Sequence, residues 1–572
     1  MKLILREYLA QLRERDELDA VLPDLLSELG FHVLSRPQRG TTQQGVDFAA
    51  VSPAAAGPQK LYLFSLKRGD LTRQDWDGTP QALRSSLNEI RDVYIRTKIP
   101  RKYAHLNIVI CLCFGGDIQE QVQAAVRLYT EDNTTDHISY EEWNGDKIAE
   151  LMMDGVLREH VLPKALQSSF RKAVALIDEP DVAYRHFADL VEQLRRGAAK
   201  PADRVRVARQ IYICVWVMYV WGRDQDNLEA PYQASELALL HVWDLLKPIL
   251  EKRSNERRDL SMVIDQLIKL HLAVATALID GKIAPHTGVP DAIGTAAAGS
   301  SAVDVNLALF DILGRIAMLG HWSAWSVQHN PSLEAEARQA LDYYVGIGLN
   351  LIRNNGALAL PITDEQATSI ALFLNVWGQS SEASEDIRPW LQIMTRRLVR
   401  SLRWRRYYPT SKTEYRDLIR HPVDQSDAYF QEATTGSTLI PLLVLWCHAL
   451  RMTETCAQLA RLSTEVLEHC DMQLWSVDDA SEAHLYQHDE IHGRAIMGLP
   501  VNDPGDLLAA LTDAAEAHAD LAGLTAVRAG FWPIVLIACR HWRLPVPFEF
   551  GLQLVAPAAA ETEALPARAE EA

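Results

Sequence analysis

Strand-type patterning is confined to about the first 165 of the 572 residues, and no other feature constrains the fold as strongly. Short apolar or alternating runs bounded by Gly, Pro and polar residues read as strands at 31–35, 46–51, 60–67, 106–114 and 137–140. Around them, apolar residues recur at helical spacing over 3–29, 79–96 and 117–128, and again from residue 144. The order α-β-β-β-α-β-α-β-α predicts an α/β unit with a mixed central sheet.

From about residue 167 the strand signals stop and helical periodicity runs to about residue 545, so a large all-α region is expected behind the α/β domain. A prior of about 150 residues per domain asks for more than one helical body. The Pro/Gly/Ala/Ser-rich stretch 284–301 is the natural connector between two of them. The expected organisation is therefore an α/β domain over 1–165, helical domains over 166–283 and 302–555, and a disordered acidic tail over 556–572.

A net charge of −18 argues against a chain that coats nucleic acid over its whole surface, while leaving local basic patches open. One such patch is visible: residues 60–102 hold ten Lys or Arg against five acids, around the residues singled out below. The seven cysteines are sparse, odd in number and mostly inside apolar runs, which predicts free thiols in a reducing, cytoplasmic protein. The amino-terminal stretch is charged within a few residues and has no leader pattern. The run 211–221 is far short of the ~20 residues that span a bilayer, so a buried helix and no membrane contact are expected.

The third strand, KLYLFSLK, carries the chemistry. Alternation puts Ser65 and Lys67 on one face. Asp47 in the preceding strand projects toward the same edge, and Glu28 at the end of the early helix is within reach. Carboxylates that hold Mg²⁺ or Mn²⁺ activate bound water and neutralise a phosphate, while a lysine steadies the developing charge.

Glu28 followed by Gly30-Phe31, the Gly45-Val46-Asp47 strand, Ser65-Leu66-Lys67, NIVICLCF and the closing EEWNGDKIAELM together resemble the PD-(D/E)XK restriction endonuclease-like superfamily, in its Mrr-like branch. The resemblance covers about residues 18–160. It implies Asp47 as metal-binding aspartate, Lys67 as catalytic lysine and Glu28 as a helix-borne acid, acting on DNA ahead of RNA. The departure is Ser65, which stands where the family has Glu, Asp or Gln, and a neutral hydroxyl is a poor ligand for a hard cation. Asp70, Asp75 and Asp77 follow closely enough to supply the missing acid, with Arg68 and Arg73 as phosphate contacts. Two readings stay open: a metal-dependent nuclease, and a degenerate nuclease-like module that binds nucleic acid or docks a protein. An endonuclease-like head on a helical, partner- or trigger-sensing body resembles bacterial antiviral defence effectors by architecture alone.

Two weaker constellations lie further on. Arg396, Arg397, Arg400, Arg403, Arg405 and Arg406, interleaved with Trp404, Tyr407 and Tyr408, have the character of a phosphate-gripping, base-stacking surface. The plainer reading is a solvated helix end paired with acids. His484, His488 and His492 lie at helical spacing beside Asp489 and Glu490, either as metal ligands or as an ordinary surface helix. Neither a GxxxxGK[ST] phosphate loop nor a GxSxG elbow occurs.

Overall fold

The computed structural model describes residues 6, 9–10, 18–35, 44–54, 57–79, 82–155, 164–196, 201–297, 301–381, 387–404, 409–422, 425–488, 492–518 and 520–563. Five strands form one mixed sheet in the order β1 (His32–Ser35), β2 (Phe48–Val51), β3 (Lys60–Lys67), β4 (Asn107–Phe114), β5 (Ile138–Trp143). β1 pairs antiparallel with β2, and β2 with β3. β3–β4 and β4–β5 pair parallel, with the helices that lie between them as crossovers. The near-continuous apolar sequence of β4 follows from its central position, and all but its first residue are buried.

The two faces of the sheet differ. Ala49, Val51, Leu61, Leu63, Ile110, Leu112 and Phe114 form one core with Trp76, Leu83, Leu87, Ile90, Val122 and Val126 of the crossover helices. The other face is aromatic: Phe48 stacks on Phe64 at 4.4 Å, and Trp143 meets Phe64 edge-on at 5.0 Å. Helix Asp19–Glu28 lies against β1, β2 and helix Gly145–Gly155.

Several expectations need correction. The loop expected after Gly69 contains a helix, Arg73–Asp77, closed by a Thr72–Asp75 capping box. The following helix begins at Leu83 and runs through a π turn, Ile90–Tyr94, to Thr97. The helix expected at 117 begins at Glu120, because Ile118 is held extended by a bridge to Leu71.

The chain divides into two compact units, Met1–Ala238 with Ser254–Leu267, and Leu239–Arg253 with Ile268–Ala572. The division does not fall at 165 or at 284–301. In the first unit, helices Lys164–Ala175, Pro180–Arg196 and Pro201–Asp224 pack together, and the last touches Asp19–Glu28. Residues 211–220 are buried there, as the apolar run required. The stretch 284–301 carries a short helix, Ala292–Ala296, with Ile293 buried, and its described residues belong to the second unit.

The second unit is organised on the 28-residue helix Ala302–His329, which starts at a Ser301–Asp304 capping box. It packs on Glu334–Asn354, Ala367–Trp377 and Pro533–Trp542. This region is mainly helical but not all-α: β6 (Gly436–Ser437) pairs with β7 (Asp471–Met472), and β8 (Leu474–Ser476) with β9 (Arg494–Ile496). The expected disordered tail is helical as far as it is described, since Phe548–Glu563 is one helix. Residues 255–286 are long and apolar enough to cross a membrane, and 56% of their most apolar window is buried inside the protein.

Candidate functional site

Asp47 sits just ahead of β2, where the antiparallel ladder with β3 runs out. Its amide still bonds Phe64 O at 2.9 Å. The next donor on β3, Leu66 N–H, is bonded by the Asp47 carboxylate itself, with Oδ2 accepting at 2.7 Å. One carboxylate oxygen thus finishes the ladder. A buried amide left unpaired there would cost about 1–3 kcal/mol, which gives Asp47 a structural duty whatever else it does. Its charge is also felt by Cys113, whose thiol is pushed up first by burial and second by Asp47.

Gly45 fixes how this turn lies. Its φ is +81°, and a Cβ there would fall 2.2 Å from Ser86 O, so the turn's backbone lies directly on helix Leu83–Glu89. Only glycine meets both conditions.

Ser65 alternates with Leu61 and Leu63 on the helix-covered face and is 2% exposed. Lys67, at the end of the strand, is half-buried. The alternation that joins Ser65 and Lys67 on one side is therefore as expected, but Ser65 lies under the crossover helices. A hydroxyl so placed offers one neutral oxygen and no charge.

The substitute acids each have a partner of their own. Asp70 is exposed and turns toward the end of β4, where Oδ1 accepts from Asp117 N at 2.9 Å. A Cβ on Gly116 would stand 2.1 Å from that oxygen, so the Gly115-Gly116-Asp117 turn is moulded to the Asp70 carboxylate. The same turn bonds Gly69 O through Gly116 N and receives Gly145 N on Gly116 O, both at 2.9 Å. Asp75 closes the capping box with Thr72, and Asp77 pairs with Arg84 at 3.3 Å. Glu28 is the last residue of helix Asp19–Glu28, and its side chain lies outside the described part.

Among the described residues, no group of three or more His, Cys, Asp or Glu side chains is placed to hold a metal ion. Of the residues expected to hold a metal on β2 and β3, Asp47 has one carboxylate oxygen bonded to an amide and Ser65 is a buried hydroxyl. One carboxylate is the least with which a protein holds Mg²⁺, water or phosphate supplying the remaining oxygens of the octahedron.

Basic residues divide between the two ends of the sheet. Lys60 pairs with Asn107 and Lys67 with Phe114. Exposed Arg68 and Arg73 thus share the Lys67 end, while exposed Lys98, Arg101 and Lys102 precede β4 at the other. Seven strand steps of about 3.3 Å keep the two groups apart. The expected positive field around the site is therefore only partly there.

The polar cluster on β5 was not anticipated. Lys147 Nζ and Trp143 Nε1 both donate to Glu141 Oε2, at 2.8 and 3.0 Å. Burial raises the Glu141 carboxyl, but these two donors outweigh it and hold the group below its ordinary range. The closing EEWNGDK contains all three residues, and their spacing was the available signal.

The other two constellations resolve differently. The helix at His484 ends at His484 itself, and His484 Nδ1 lies 3.1 Å from His488 Nε2. The three rings gather with centroids 5.1, 6.0 and 6.5 Å apart. The contact between the first two uses a lone pair that a metal would need. Asp489 and Glu490 lie outside the described residues. So do Arg405, Arg406, Tyr407 and Tyr408, whereas Arg403 pairs with Glu465 at 2.6 Å.

No family model matches the chain, and no curated protein or solved structure matches it significantly.

Proposed function

We propose that the α/β part of the chain is a PD-(D/E)XK-like module that holds a nucleic-acid phosphate backbone, DNA ahead of RNA, without cutting it. The observation that carries this reading is the engagement of Asp47 on the Leu66 amide beside a buried Ser65. Lys67, Arg68 and Arg73 at the carboxyl end of β3 are the contacts, half-buried in the first case and exposed in the other two. Phosphate binding asks only for such cations, whereas hydrolysis asks for a second acid as well. We assign partner recognition to the helical second unit, which has its own core.

A second reading, Mg²⁺-dependent cleavage by Asp47, Lys67 and Glu28, draws support from helix Asp19–Glu28, which packs on β2 and ends at Glu28. Fluorescence anisotropy with a labelled DNA duplex tests the binding role. Wild type is expected to bind with an affinity that falls steeply with salt, and the Lys67→Ala/Arg68→Ala/Arg73→Ala variant to lose at least tenfold. Duplex binding that survives the triple substitution would remove the module from this role.

A further inference from the structure

Helix Ile387–Arg403 contains five arginines and no acid, in a chain of net charge −18. Ile387, Trp390, Leu391, Met394, Thr395, Leu398 and Leu402 bury one face. Arg388, Arg396, Arg397, Arg400 and Arg403 are all exposed on the other. If these arginines were an ordinary solvated face, acids of this acidic chain would be expected to pair with them. Among the described residues only Arg403 has such a partner, Glu465, and Arg397 donates to the backbone oxygen of Gly356 at 2.6 Å. Among the described residues, Arg388, Arg396 and Arg400 have no ion pair.

Arg396, Arg400 and Trp404 follow one another at four-residue spacing, one row with steps of about 6 Å. Arg400 lies over the Trp404 ring at 5.2 Å. Trp404 is 60% exposed and is the one tryptophan on the surface among the 14, all of which are described. Attraction to the helix's negative carboxyl end accounts for cations in its last turn, Arg400 and Arg403, but reaches neither Arg388 nor Arg396. Apart from the contact of Arg400 with the ring, a large aromatic left in water beside guanidinium groups without acidic partners leaves both open to a ligand. Phosphates would neutralise the row, and an unpaired base would cover the ring.

We propose that this face binds single-stranded nucleic acid, with Arg396 and Arg400 on successive phosphates and a base stacked on Trp404. A duplex keeps its bases in the stack and cannot use the tryptophan. The surface belongs to the second unit and does not depend on the role given to Lys67, Arg68 and Arg73.

The test uses the full chain and fluorescence anisotropy with a labelled oligothymidylate of about 20 nucleotides, its RNA counterpart, and a duplex of equal length. Single strands are expected to bind, Arg396→Glu/Arg400→Glu to weaken binding at least tenfold, and Trp404→Ala to weaken it about fivefold or more. The salt dependence should fall by about 1.4 in log–log slope when the two arginines are removed, near 0.7 per phosphate lost. Arg396→Gln/Arg400→Gln serves as a milder second variant, and near-ultraviolet circular dichroism checks the fold of each. The Lys67→Ala/Arg68→Ala/Arg73→Ala chain should keep its single-strand affinity. Any of three results overturns the proposal: no single-strand binding, binding indifferent to both arginine variants and to Trp404→Ala, or loss with the Lys67 triple variant instead.

Discussion

At the level of single residues, Asp47 decides how the site is read. A carboxylate that terminates a sheet ladder cannot be removed without structural cost, so loss of function in an alanine variant there has two explanations. Asp47→Ala is expected to destabilise the protein by about 1–3 kcal/mol, and Asp47→Asn, which keeps an acceptor for Leu66 N–H, by under about 1 kcal/mol. Chemical denaturation monitored by Trp fluorescence separates the two, and equal stability in all three proteins would contradict the ladder role. The residue types of the site were legible in the sequence, as was the pairing of Ser65 with Lys67 on one face, because a strand alternates. Their environment was not. Nothing in SLK shows that helices cover Ser65, and nothing in RGD shows that Asp70 turns to a glycine-rich turn more than forty positions away, at Asp117.

Elements were most legible where periodicity acts over a long window. β3 begins and ends where its alternation does, at Lys60 and Lys67. Boundaries drift where a tertiary contact intervenes, as when the Leu71 bridge keeps Ile118 extended. The two-residue strands β6 and β7 have no period to detect and exist only through each other. The turn Asp364–Gln366 that leads into Ala367–Trp377 shows a different tertiary effect. There Glu365 is pushed up to about 7, mainly by burial, with Arg543 opposing and Asp364 and Glu414 adding to the rise. The native state then holds a proton that the unfolded chain, with an ordinary carboxyl, releases. Stability should therefore fall as pH rises from the ordinary carboxyl range to about 7 and level off above it. Glu365→Gln is expected to flatten that slope and to exceed wild type at pH 8 by roughly 1–3 kcal/mol. Parallel stability profiles for the two proteins would contradict this.

For the whole molecule, composition and the disappearance of strand signals placed the α/β part and the helical part correctly in order, but not the division between units. Flexible-looking composition at 284–301 gave no measure of contacts, and helix Pro201–Asp224, which falls inside the separate helical domain expected over 166–283, packs on Asp19–Glu28. A fragment ending at 165 would therefore lose the packing of Pro201–Asp224 on the early helix while keeping its contacts with β1, β2 and Gly145–Gly155. It is expected to unfold without a cooperative transition or to aggregate, by circular dichroism and size-exclusion chromatography. A monomeric fragment that melts cooperatively would contradict the first unit as drawn.

The central claim is that the Asp47–Lys67 module holds nucleic acid and does not cut it. Its most direct test is incubation of the full chain with supercoiled plasmid, linear duplex and single-stranded DNA and RNA in Mg²⁺ and in Mn²⁺, with products resolved on denaturing gels. The account predicts intact strands in every lane at protein concentrations that saturate binding. Metal-dependent cleavage that disappears in both Lys67→Ala and Asp47→Asn would contradict it, because Asp47→Asn keeps the ladder bond and removes only the charge.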